Sequence, residues 1–244
     1  MDIELSVSIF LILIGAGGAF FQRVSGFGLG IFSMLFLPHV MPTHTAAASI
    51  SSLFSCTSST YNTIKYRKEV PFKTVLPMLI TALLTIPVAV YFSGQVSPRL
   101  FQILLGSVLI VLSLYFLFFN SKIHFKPTAT KGIIAGATGG ILSGLFSTGG
   151  PPVVLYMTHA TSDNLKYFAG IQFYFCITNI YSTIMRTING FLSLELLVYT
   201  LIGSVGCFVG DLIGKLVFDI LDGKKLKMII YIGMIISGIT MLIP

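Results

Sequence analysis

Charge is what this sequence has least of. Only 9% of its 244 residues are Asp, Glu, Lys or Arg, against about a quarter in an ordinary soluble domain. No long polar domain interrupts it. With 55% hydrophobic residues and a mean hydropathy of +0.93, nearly the whole chain belongs in a bilayer. Alternation of apolar and polar residues over roughly ten-residue strands is also missing, which excludes a β-barrel. The three cysteines, Cys56, Cys176 and Cys207, all lie in apolar segments and read as small packing residues, not an oxidised framework. The basic start of a cleaved signal peptide is absent; the early charges are Asp2 and Glu4.

Enzyme signatures are missing too. There is no P-loop and no HExxH. The Gly-x-Ser-Gly of an intramembrane serine protease fails, because Ser25-Gly26 follows Arg23-Val24 and Ser143-Gly144 follows Ile141-Leu142. His39, His44 and His159 are scattered and make no metal site. No enzymatic activity and no cofactor or metal are expected. The net charge of +7 reads as membrane orientation, not as nucleic-acid affinity.

What is present is a series of apolar segments, at 5–22, 27–41, 44–65, 72–93 and 98–119, then 131–147, 151–161, 164–187, 192–218 and 227–243. A full crossing needs about 20 residues. The second and seventh fall short, and each follows a glycine-rich break, so segments one/two and six/seven read as helical hairpins, re-entrant or crossing. The halves match in order. Gly17-Gly18 corresponds to Gly139-Gly140, Ser25-Gly26-Phe27-Gly28 to Ser147-Thr148-Gly149-Gly150, and Tyr61-Asn62-Thr63-Ile64 to Tyr181-Ser182-Thr183-Ile184, at offsets of 122, 122 and 120. This is the mark of an internal duplication. The repeats are placed at 1–121 and 122–244.

Five segments per half make an odd number of crossings whether or not a hairpin spans, so the halves must be inverted. Charge tests this. With the loop 65–73 inside, the inner side receives Lys65, Arg67, Lys68, Lys73, Lys122, Lys126, Lys131, Lys166, Lys215, Lys224, Lys225 and Lys227, twelve of the fifteen basic residues. The positive-inside rule then places both termini outside. Arg99, Arg186 and Glu195 fall toward the outer side, Arg186 and Glu195 as solvated helix ends.

The break at 147–152, Ser147-Thr148-Gly149-Gly150-Pro151-Pro152, ends any helix that enters it. Inside a hydrophobic tract such a bare backbone must line a cavity or be buried against protein. The helix after Gly150-Pro151 starts with free N–H groups and the positive end of its dipole, which attract anions. The break at 25–28 offers the same from the opposite side. Together with the hydroxyls of Ser25, Ser147 and Thr148 they form a candidate oxyanion cradle. Tight packing of glycine and proline is the alternative.

Two polar stripes accompany the breaks. Thr45, Ser49, Ser52, Cys56, Ser59 and Thr63 share one helix face, as do Gln172, Cys176, Asn179, Thr183 and Arg186. At the 120-residue offset Ser52 pairs with Gln172, Cys56 with Cys176, Ser59 with Asn179 and Thr63 with Thr183. They either glue helices together or line a substrate path, and the pairing favours the path. Gln172 and Asn179 weigh most, since a bare amide in hydrocarbon is costly. Arg23, beside the first break, is a candidate partner of an anionic substrate, or a snorkelling side chain. Asp211 is read as an i,i+4 partner of Lys215 in preference to a proton relay.

The paired glycine-rich hairpins, above all Ser147-Thr148-Gly149-Gly150-Pro151-Pro152-Val153-Val154-Leu155-Tyr156, resemble the TauE/SafE sulfite exporter family, also called TSUP, over essentially the whole chain. The looser match is Ser25-Gly26-Phe27-Gly28-Leu29-Gly30. The resemblance implies an inner-membrane transporter of small sulfur-containing anions such as sulfite, sulfoacetate or related organosulfonates. The expectation is therefore an all-α polytopic protein of two inverted five-segment repeats, with the lipid bilayer and a small anion as partners. A homo-oligomer is left open. Substrate would bind Ser25, Gly26, Phe27, Gly28, Ser147, Thr148, Gly149, Gly150, Pro151, Gln172 and Asn179. The path would run along Arg23, Ser52, Cys56, Ser59, Thr63, Cys176 and Thr183, with one repeat rocking against the other. A channel-like conduit and an assembly subunit without flux of its own are the competing readings.

Overall fold

The computed structural model describes residues 5–118, 126–217 and 223–243, and among them every regular element is a helix. Ten α-helices follow the ten apolar segments: α1 (Leu5–Ser25), α2 (Leu29–Val40), α3 (His44–Tyr66), α4 (Phe72–Gln95), α5 (Pro98–Phe118), α6 (Ala129–Phe146), α7 (Gly150–Ala160), α8 (Asn164–Ile188), α9 (Leu194–Val217) and α10 (Gly223–Leu242). Four of them, α1, α4, α5 and most of α9, are long and apolar enough to cross a bilayer. At 1.5 Å per residue, α2 and α7 are only about 18 and 16 Å long, short of a roughly 30 Å hydrocarbon core. Outward faces are apolar at helical spacing, as with Leu76, Ile80, Leu84 and Val88 on α4 and Leu197, Leu201, Val205 and Leu212 on α9. Such faces suit lipid. The chain is an all-α polytopic membrane protein. The boundary between the halves at 121/122 lies outside the described residues, as do Lys122 and the side chains of Lys224, Lys225 and Lys227.

The packing exchanges partners between halves. α1 lies along α9, and α6, its counterpart five helices on, lies along α4. Both seams depend on bare backbone. A Cβ on Gly210 would strike the carbonyl of Ala16, and one on Gly140 would strike Thr85 and Ala82. Close backbone approach of this kind drives helix association where lipid removes any hydrophobic gain. α3 packs on α8 and α5 on α10. Both pairs run antiparallel. Tyr66, at the end of α3, meets Phe168 near the start of α8, and Ser49, near the start of α3, reaches the carbonyl of Phe191, just past the end of α8. Arg99, in the first turn of α5, donates to the carbonyls of Met241, Leu242 and Ile243 at the end of α10, a cation at the negative end of a helix dipole. α3 and α8 pack against each other and against the short helices α2 and α7, respectively, that follow the two breaks.

Candidate functional site

The second break begins where α6 runs out at Phe146. Ser147 turns into the left-handed region (φ 58°) and is the only non-glycine residue with positive φ among those described. Its N–H returns to the Ser143 carbonyl (2.9 Å) and that of Thr148 to Leu142 (3.3 Å), which closes the helix in the way a glycine usually does. α7 then starts at Gly150 with prolines in its first turn. The prolines fit there, but they also remove two donors that a helix N-terminus would otherwise present. The expected crown of free N–H groups on α7 therefore shrinks to those of Gly149 and Gly150.

The first break is the richer one. Gly26 (φ 85°) and Gly28 (φ 105°) hold a backbone that a side chain would strain. Gly28 caps α2 without any side-chain bond, and the first returning bond is Phe32 N–H to Gly28 (2.8 Å). The N–H groups of Leu29, Gly30 and Ile31 thus have no acceptor among the described residues, as is general at helix starts.

The two breaks touch. A Cβ on Gly30 would collide with the Ser147 carbonyl oxygen, and one on Gly150 would press on Phe27 and Phe175. Between them lies a cavity of ≈ 20 Å³ lined by Gln22, Gly28, Gly30, Ile31 and Ser55 from the first half and by Ser143, Ser147, Thr148, Gly149, Gly150, Tyr174, Phe175 and Asn179 from the second. That is room for about one water. No carboxylate, lysine or arginine lines it. Its polar groups are largely unspent. Among the described residues, the hydroxyls of Ser147, Thr148 and Tyr174 are buried without a partner, and no group bonds the Asn179 amide. In a low-dielectric interior each orphan group costs about 1–3 kcal/mol. So many together make this cavity the candidate site for a polar ligand, with hydroxyl and N–H groups able to donate hydrogen bonds.

Of the residues expected at the site, Gly28, Ser147, Thr148, Gly149, Gly150 and Asn179 line this cavity. Others stand behind it. The Ser25 hydroxyl is taken by the carbonyls of Phe21 (2.8 Å) and Phe27 (2.6 Å), so it does not join the cradle. Gln172 is fully buried and is spent on the first break: its Nε2 donates to the Gly26 carbonyl (3.0 Å) and its Oε1 accepts from Gln22 Nε2 (3.2 Å). It positions the break from α8. Gly26, Phe27 and Pro151 are buried but supply framework only. The stripes of α3 and α8 do face each other, with Thr60 Oγ1 between Cys56 Sγ (3.8 Å) and Cys176 Sγ (3.5 Å). All three cysteines are free thiols. Ser52, Thr63 and Thr183 keep buried, partnerless hydroxyls, whereas Ser59 bonds back to the Ser55 carbonyl (2.6 Å).

Three charged residues depart from expectation. Arg186 is not solvated but fully buried, with Nη2 donating to the carbonyls of Gly144 (2.7 Å) and Ser143 (3.3 Å). α8 packs its last turns against the end of α6, and that contact covers what sequence position alone leaves open. Asp211 takes a hydrogen bond from Asn62 Nδ2 (3.3 Å) and, among the described residues, forms no ion pair with Lys215. Arg23 completes the same network, donating to Asn62 Oδ1 (2.8 Å) and Tyr66 Oη (3.4 Å) and lying 5.3 Å over the Phe168 ring. It ties α1 to α3 and, through Asn62, to α9, away from the cavity. Glu195 is exposed as expected. The described residues hold no cluster of His, Cys, Asp or Glu suited to a metal.

A polytopic helical protein with two broken hairpins meeting at a donor-lined cavity has the construction of a membrane transporter. The sequence profile of the sulfite exporter TauE/SafE family matches residues 11–241, and the chain belongs to that family. A relative from Cupriavidus necator, described as a probable sulfite/organosulfonate exporter TauE, is 26% identical over 214 residues, covering 83% of this chain and 80% of its own. No solved structure matches.

Proposed function

We propose that this protein is a secondary transporter of a small sulfur-containing oxyanion, sulfite or an organosulfonate, in the inner membrane, with both termini outside. The observation that carries the reading is the cavity between the breaks, whose lining combines partnerless hydroxyls with free helix-start N–H groups and no carboxylate. Sulfonate and sulfite oxygens are acceptors only, so this lining complements them. The name of the Cupriavidus necator relative supports the same substrate class.

The antiparallel pairing of α3 with α8 and of α5 with α10 supports two inverted repeats, 1–121 and 122–244, since inversion makes equivalent helices run oppositely. A four-atom anion exceeds the ≈ 20 Å³ now available, so the breaks must part to admit it. The seams favour one choice of moving bodies. Rocking the sequence halves past each other would shear the glycine-knit α1–α9 and α4–α6 contacts. Motion of the α1–α9 unit against the α4–α6 unit keeps both seams intact and opens the hairpins alternately. The paired hydroxyls and thiols along α3 and α8, Ser52, Cys56, Thr63, Cys176 and Thr183, then wall the path.

Proteoliposome flux of sulfite and of a panel of organosulfonates, with and without a pH gradient, tests the reading. Thr148→Val removes one donor at constant volume, and Gly149→Leu drives a side chain into the Gly139 carbonyl and the Ser143 side chain, which distorts the break. Both should cut flux at least tenfold; normal transport by both removes the site assignment. Saturable, slow turnover distinguishes a carrier from a channel, and no flux under any gradient would favour an assembly subunit.

A further inference from the structure

We infer that Arg186 is the cationic member of the oxyanion site, the one charge that the neutral donors around the cavity lack. This rests on the cavity being the substrate site. Arg186 has no exposed surface and no carboxylate partner among the described residues. Two carbonyls occupy Nη2, while Nε and Nη1 are buried with no partner among the described residues. A guanidinium left in this condition inside a membrane protein is expensive, and a ligand that takes the spare N–H groups offsets the cost.

Arg186 is not itself in the cavity wall, but its contacts place it directly behind that wall. One of the carbonyls that Arg186 holds belongs to Ser143, which lines the cavity. Asn179 and Ser182 stand seven and four positions earlier on the same helix face. Long helical side chains lean toward the N-terminus, which carries the guanidinium back along α8 toward both residues. Asn179 lines the cavity, and the Ser182 hydroxyl is a further buried donor or acceptor without a partner. Arg23 provides the contrast. It is comparable in sequence context, yet Asn62, Tyr66 and Phe168 occupy it. An arginine of purely structural purpose looks like Arg23; Arg186 is left with donors to spend. The ligand that fits is a compact oxyanion with two or more oxygens on one centre, sulfite or a sulfonate head group.

The test is sulfite binding to the purified full-length protein by calorimetry, alongside thermal unfolding without sulfite, for wild type, Arg186→Met, Arg186→Lys and Thr148→Val. Methionine fills the volume and removes the buried charge, a change often neutral or stabilising for the fold. The expected result is an Arg186→Met protein that melts at or above the wild-type temperature but binds sulfite at least tenfold more weakly, with Arg186→Lys between the two. A structural role would give the reverse: lower melting temperature and unchanged affinity. Either that reversal or loss of folding in both arginine variants overturns the inference. Weakened binding by Thr148→Val with unchanged binding by Arg186→Met would reject Arg186 while leaving the cavity in place. Unchanged binding by both variants would reject the two readings together.

Discussion

Ser147 sets stability against function in a way that one substitution can separate. Its backbone sits at φ 58°, where an L side chain costs about 1–2 kcal/mol and glycine costs little. The position is the left-handed closure of α6, for which glycine is the usual choice. Yet the chain keeps a serine that lines the cavity and whose hydroxyl has no partner among the described residues. Ser147→Gly should relieve the strain. Against that gain stands the extra freedom glycine gives the unfolded chain, about 0.4–1 kcal/mol. The net stabilisation is then about 0.5–1 kcal/mol, or roughly 1–4 °C in Tm for a chain of this size. The same change deletes a hydroxyl donor to a charged ligand, about 1.5–3 kcal/mol, so sulfite affinity should fall roughly ten- to hundredfold. Thermal unfolding and calorimetric sulfite titration of one preparation read both quantities. Opposite signs are the prediction. A variant that melts lower, or that binds sulfite like the wild type, refutes the idea that strain is retained for the hydroxyl.

Other outcomes follow from the same geometry. Gly30→Ala places a methyl group on the Ser147 carbonyl; overpacking of about 1–3 kcal/mol should lower the melting temperature and abolish sulfite-dependent stabilisation. Asn62→Leu strips Arg23 and Asp211 of their shared partner, and hydrogen bonds to charged groups predict a loss of about 1.5–3 kcal/mol each, read as a lower Tm with sulfite affinity retained. Asp163 caps α8, and the backbone N–H groups of Lys166 and Leu165 hold its carboxyl below the ordinary value of 3.8. A depressed pKa gives stability that is present above the ordinary value and lost as pH falls through the lower folded one. Asp163→Asn keeps a cap but not the charge, so the Tm gap between wild type and variant should close on acidification below about pH 4.

The ten helices were legible because apolar length is a one-dimensional signal, and the breaks because glycine and proline act locally. The cavity was half legible. Its glycines and hydroxyls at 147–150 stood out, but Gln22, Ser55, Ser143 and Tyr174 did not. Ser55 falls off the expected stripe since α3 is buried on nearly every side between α2, α8 and α9, so no single face defines it. Gln22 carried a usable signal, an amide in an apolar run beside Arg23, that went to its charged neighbour. Arg186 was misplaced because a basic residue in a last helical turn ordinarily reaches water. What buries it is the end of α6, more than forty positions earlier in the chain, and no local pattern reports a contact of that range.

The seam between α1 and α9 also governs how the protein is made. α1 leaves the ribosome about 190 residues ahead of the helix it packs against most closely. At about 5–20 residues per second, α1 waits some 10–40 s before its glycine-lined groove is filled. α4 and α6 are nearly consecutive and can mate far sooner. The α4–α6 pair should therefore assemble first and the α1–α9 pair last. Truncation before α9 would leave α1 with an open small-residue face in the lipid, a natural point for membrane quality control to recognise an unfinished chain.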